Sequence, residues 1–76
     1  MHWLHTGDRV RLRPREAPHD HSPDDWWTVI NITETGFDAV RTVTVDRSAN
    51  NGFVSHRYRC GVDPSSILEH QLNEYA

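Results

Sequence analysis

No lysine occurs in this sequence of 76 residues, and all eight of its basic side chains are arginine. Excess positive charge is also missing. Eight basic residues stand against eleven acidic ones for a formal net charge of −3, which argues against the general phosphate attraction of strongly basic domains. With one cysteine, Cys60, an internal disulfide is excluded, so apolar side chains, a metal or another chain must hold the fold together. Long apolar runs are absent, and the opening Met1-His2-Trp3-Leu4-His5-Thr6 has no basic region leading into an apolar one. Together with the unpaired cysteine, this makes cytoplasm the expected location. No internal repeat, Gly-rich phosphate loop, CxxC or HExxH pattern is found.

What the chain does have is aromatic residues: three Trp, two Tyr and two Phe. Each buries roughly 150–250 Å² when placed inside, so one small core is feasible and residues 1–76 form one domain.

Period-two patterning dominates the chain. After a turn at Gly7-Asp8, Arg9-Val10-Arg11-Leu12-Arg13 alternates charged and apolar residues and reads as a half-buried first strand. Residues 14–25, with three prolines among polar residues, read as an extended loop, a candidate site by its length. Trp26 to Thr33 forms a second strand ending at the turn Glu34-Thr35-Gly36, and Phe37 to Arg47 forms a third. Ser48-Ala49-Asn50-Asn51-Gly52 then folds the third strand back on a fourth, Phe53 to Cys60. Asp63 can cap a turn that begins at Pro64, and two continuations remain open. One is a helix with Ile67, Leu68, Leu72 and Tyr75 on one face. The other is a 3₁₀ turn over 63–66 and a short strand from Ile67 to Gln71, which would cover an otherwise open edge.

The candidate site residues follow from the same alternation. Arg9, Arg11 and Arg13, with Arg15 beyond them, fall on one face and could grip an acidic partner or a phosphate chain; the plainer reading is a solvated face paired with Asp and Glu. Arg57 and Arg59 would widen that face if the first and fourth strands were neighbours. Trp26 and Trp27 point to opposite sides, so one indole faces outward as a binding platform or lies beneath the long loop. Parity leaves open which, because Ile30 and Ile32 go with Trp26 but Val29 goes with Trp27. His19-Asp20-His21, with His2 and His5, offers imidazoles and a carboxylate as conceivable metal ligands, but the histidines are expected to be ordinary exposed ones. His56 and Cys60 are about 13 Å apart along a strand, too far for a thiol and its base, and Cys60 is expected to be buried filler.

Gly7-Asp8 opening a strand, Asp25-Trp26-Trp27, Gly52-Phe53-Val54 running to Tyr58 and the late Pro64-Ser65 turn resemble the ordering in SH3 domains and in the wider group of SH3-like small barrels, including KOW and Tudor modules. That resemblance implies an all-β, five-stranded SH3-like barrel with a 3₁₀ turn or short helix near the C-terminus. In the narrower SH3 analogy, Trp26 matches the first tryptophan of the paired-Trp motif lining the groove for proline-rich peptides, and Tyr58 matches the groove tyrosine. Ser55 stands where a groove proline is expected.

The expected function is that of a non-catalytic binding module without a cofactor, using Arg9, Arg11, Arg13, Trp26 and Tyr58 to hold a macromolecular partner, a protein first. Single-stranded RNA or DNA is the alternative partner, and a small metal-binding protein or enzyme is a third reading.

Overall fold

The computed structural model describes residues 2–15, 21–45 and 53–73. Five antiparallel strands carry the fold: β1 (Arg9–Leu12), β2 (Trp26–Ile32), β3 (Phe37–Val45), β4 (Phe53–Val62) and β5 (Ile67–Gln71). A 3₁₀ turn at Pro64–Ser66 separates the last two, and no helix occurs among the described residues. The all-β, five-strand architecture is the expected one, and of the two continuations after Asp63 the turn and strand are realised. Asp63 accepts a hydrogen bond from the Ser65 amide while Pro64 occupies the first position of the turn. β1 ends one residue early at Leu12, and β4 runs on past Cys60 to Val62. The β3–β4 hairpin has the expected pairing, from Phe37 opposite Val62 to Val45 opposite Phe53; its Ser48-Ala49-Asn50-Asn51-Gly52 turn, together with Arg47, His19 and Tyr75, lies outside the described residues.

The strand order is β4-β3-β2-β1-β5. Among the described residues no pairing joins β4 to β5, so the sheet is not closed into a barrel.

One face of this sheet makes the core. Leu4, Val10, Leu12, Trp27, Val29, Phe37, Ala39 and Val62 are all nearly inaccessible, with Ile32 and Ile67 packed against them. Each fully buried side chain of the Val, Leu or Phe class contributes roughly 1.5–3 kcal/mol. With no second layer among the described residues, such burial requires the sheet to curl over its own apolar face. The bends fall at three extra residues, because bulges kink a strand and increase its twist. Ile30 is the extra residue of β2, since Val29 faces Ala39 while Asn31 faces Asp38. In β4 the pairing steps from Arg59 to Val62 opposite Ala39 and Phe37, with Gly61 at φ 62°, left-handed backbone that glycine adopts without a Cβ penalty. Leu68 is the extra residue of β5, between the Arg11–Glu69 and Leu12–Ile67 pairs.

The bulge at Ile30 answers the parity question. Trp27, Val29 and, past the bulge, Ile32 turn inward, while Trp26 and Ile30 turn outward. A regular strand could not have buried Val29 and Ile32 on one side.

Candidate functional site

Trp26 is the centre of the outer face. Its neighbour across the sheet is Arg11, with Arg9 two positions along, opposite Thr28. Both guanidiniums lie over the indole, with carbon centres 5.5 Å (Arg9) and 5.8 Å (Arg11) from the ring centroid, inside the range of cation–π attraction. The alternation of β1 therefore does what its pattern implies: Val10 and Leu12 fill the core, and Arg9 and Arg11 stand outside.

The end of the long loop shapes one side of this site. Ser22 to Asp25 form a tight turn in which the Ser22 amide donates to Asp25 Oδ2, the Asp25 amide to the Ser22 carbonyl and the Asp24 amide to Ser22 Oγ. Asp24 and Asp25 are thereby placed against arginines from two other strands. Asp24 Oδ1 lies 3.4 Å from Arg11 Nη1, and Asp25 Oδ1 lies 3.1 Å from Arg41 Nη2. Arg11 also meets Glu69 of β5, its Nε 3.2 Å from Oε2, without the alignment of a hydrogen bond. Asp24 and Glu69 are largely exposed, so these two pairs are worth under about 1 kcal/mol each.

Between Trp26 and β3 runs a shallow, open groove of about 440 Å³. Thr28 and Val40, paired across β2 and β3, form its floor, and Arg9, Asp24, Asp25, Trp26, Arg41 and Thr42 line the rest. Tyr58 belongs to the same face. Val40 pairs with Tyr58 as well as with Thr28, so Arg9, Thr28, Val40 and Tyr58 form one row across four strands, and Tyr58 is 61 % exposed. His56 flanks it, with ring centroids 6.5 Å apart, and shares a 3.3 Å contact with Thr42.

The remaining expected site residues lie elsewhere. Arg13 is beyond β1; its amide donates to the Ser66 carbonyl, and its side chain is exposed. Arg57 and Arg59 do not widen the arginine face, because β4 is separated from β1 by two strands and Arg59 faces Ala39 on the core side. Arg59 is 8 % exposed, and its Nη1 donates to the Arg13 carbonyl and to His21 Nε2 at 2.7 Å. His21 in turn packs edge-on against the buried Trp27, centroids 4.8 Å apart. His21 thus covers the inner tryptophan, while the outer one borders the groove. Cys60, expected inside, is exposed, since it sits beside the Gly61 bulge where the strand turns away from the core.

A second polar cluster joins the turn before β1 to β5. The Asp8 carboxylate, almost wholly buried, accepts from the His5 and Asn73 amides and lies 2.7 Å from His70 Nε2, while Trp3 packs edge-on against that imidazole. Burial pushes the Asp8 carboxyl up, but the bond to His70, helped by the two amides, outweighs it and holds the group below its ordinary value. Among the described residues, no group of three His, Cys, Asp or Glu side chains is placed to hold a metal ion.

No family model, curated protein or solved structure matches this chain.

The alternation of the first strand puts Arg9 and Arg11 on one face, and Trp26 and Tyr58 are named as site residues with the outward tryptophan left open; Val40, Arg41, Asp24 and Asp25 are overlooked. A signal existed for the last two, because an Asp-Asp pair immediately before a tryptophan-led strand must lie at the edge of whatever face that tryptophan presents. Val40 and Arg41 needed the β2–β3 register.

Proposed function

We propose that this chain is a non-catalytic binding module that docks a segment of a partner protein on the outer face around Trp26, Arg9 and Tyr58. The observation that carries this reading is the local charge balance around a half-buried indole. Arg11 is engaged by Asp24 and Glu69, and Arg41 by Asp25, so the groove offers Val40 and the Trp26 ring within a mostly polar lining of mixed charge rather than a continuous cationic track. Aromatic anchors ringed by polar groups are the usual energetic centres of protein interfaces. A phosphate chain would need several unneutralised cations along its path.

The Gly7-Asp8 turn before β1, the Trp26-led β2 and the Pro64–Ser66 turn between β4 and β5 support membership of the SH3-like small barrels in an opened form. No helix among the described residues is long and apolar enough to cross a membrane, and the exposed thiol of Cys60 supports a reducing, cytoplasmic setting.

The test is affinity capture with the wild-type chain and with Trp26→Ala as bait. The expected result is a partner lost from Trp26→Ala while that variant keeps a folded amide spectrum. Equal capture by both baits refutes the docking face. Labelled single-stranded RNA and DNA, titrated at about 50 and 200 mM salt, separate the nucleic-acid alternative, which requires steep weakening with salt.

A further inference from the structure

Resting on that docking face, we infer that its groove recognises an extended peptide segment carrying a carboxylate beside an apolar side chain. Among the charged residues that line the groove, Arg9 is the one with no oppositely charged partner among the described residues. Its guanidinium lies over Trp26, held by the ring's π face, which leaves its N–H donors available to an anion. The backbone of Arg9 is opposite Thr28, and its guanidinium reaches over Trp26 beside that of Arg11, which Asp24 already engages. A bound segment therefore places its negative group at Arg9, over the Trp26 ring.

The floor determines the rest. Val40, the Thr28 methyl group and the Trp26 ring offer apolar surface, and Tyr58 extends it across β4. A groove open to solvent suits one or two side chains of a longer segment better than a small molecule, whose sites enclose most of its surface. An arginine held against an aromatic ring is oriented before binding, so less side-chain freedom is lost when it grips a carboxylate. A lysine-bearing segment meets Arg9 with like charge.

The experiment is a titration of the ¹⁵N-labelled full chain with four short, otherwise identical Gly/Ser peptides, containing Glu-Phe, Gln-Phe, Lys-Phe or Glu-Ala at the centre. The Glu-Phe peptide is expected to shift the Trp26 indole N–H and the Thr28 and Val40 amides, and to bind about fivefold more tightly than Gln-Phe. Arg9→Gln, an exposed substitution whose amide spectrum checks its fold, removes that difference, and Arg9→Glu transfers the preference to Lys-Phe. A wild-type chain that binds Lys-Phe as well as Glu-Phe, a preference that survives Arg9→Gln, or no shift with any peptide overturns the acidic specificity. Equal binding of all four at Trp26 overturns it too while leaving the docking face intact, whereas capture unaffected by Trp26→Ala removes the face itself. Inorganic phosphate or an eight-nucleotide single strand that shifts the same amides at lower concentration than Glu-Phe would assign Arg9 to phosphate instead.

Discussion

The carboxylate of Asp8 and the imidazole of His70 meet at 2.7 Å across 62 positions of sequence, in a site where the carboxylate is almost fully shielded from water. This contact, with the Asn73 amide on the other carboxylate oxygen, fastens the turn before β1 to the end of β5.

Replacing Asp8 by alanine leaves the His5 and Asn73 amides without their acceptor and is expected to destabilise the domain by about 3 kcal/mol, read by urea denaturation. The pH dependence follows from the direction of the shift. Because the folded carboxyl is held below its ordinary 3.8, its contribution is complete above that value and is lost as pH falls through the lower folded one. The stability gap between wild type and Asp8→Ala should therefore narrow only below about pH 3.8. A gap already narrowing near neutrality would contradict the assignment.

The two adjacent tryptophans should separate cleanly. Trp27→Ala empties the core and is expected to cost about 3–5 kcal/mol, whereas Trp26→Ala, on the outer face, should cost about 1 kcal/mol. Comparable denaturation midpoints for the two variants would mean that the inward and outward assignments are wrong.

A third prediction concerns one proton. Arginine has no acceptor, so His21 Nε2, 2.7 Å from Arg59 Nη1, must offer its lone pair. The ring hydrogen then sits on Nδ1, which faces the Ser22 carbonyl at 2.9 Å. Long-range ¹H–¹⁵N spectra at neutral pH should show His21 as the Nδ1–H tautomer. Finding the hydrogen on Nε2 would break the link between His21 and β4.

Glycine substitutions should rank by what surrounds them. A Cβ on Gly36 would come within 2.5 Å of the Val62 carbonyl oxygen, backbone that cannot swing aside, so Gly36→Ala is expected to cost about 2 kcal/mol. At Gly61 space is open and only the positive φ resists, so Gly61→Ala should cost about 1 kcal/mol and Gly61→Asn less. Thermal melts giving the reverse order would undo this account.

What could be read from the chain was the part governed by local alternation. Val10 and Leu12 inward with Arg9 and Arg11 outward, the Asp63-Pro64 turn, and the hairpin of β3 with β4 all follow from neighbouring residues. What could not be read was anything set by a bulge or by strand order. Arg57 and Arg59 look like Arg9 and Arg11 in sequence, yet the register opposite β3 sends Arg59 inward, where a carbonyl and an imidazole receive it. Likewise the composition of the groove depends on Val40 lying opposite Thr28, a pairing that spans a turn and the Ile30 bulge.

The adjacency of β1 and β5 also governs how the chain reaches this state. The meander from β2 to β4 joins consecutive segments and can assemble early, but the final strand must close a loop of nearly the whole domain before any of its bonds form. The buried acid and its imidazole are therefore expected to meet late in folding, with the apolar face uncovered along that edge until they do.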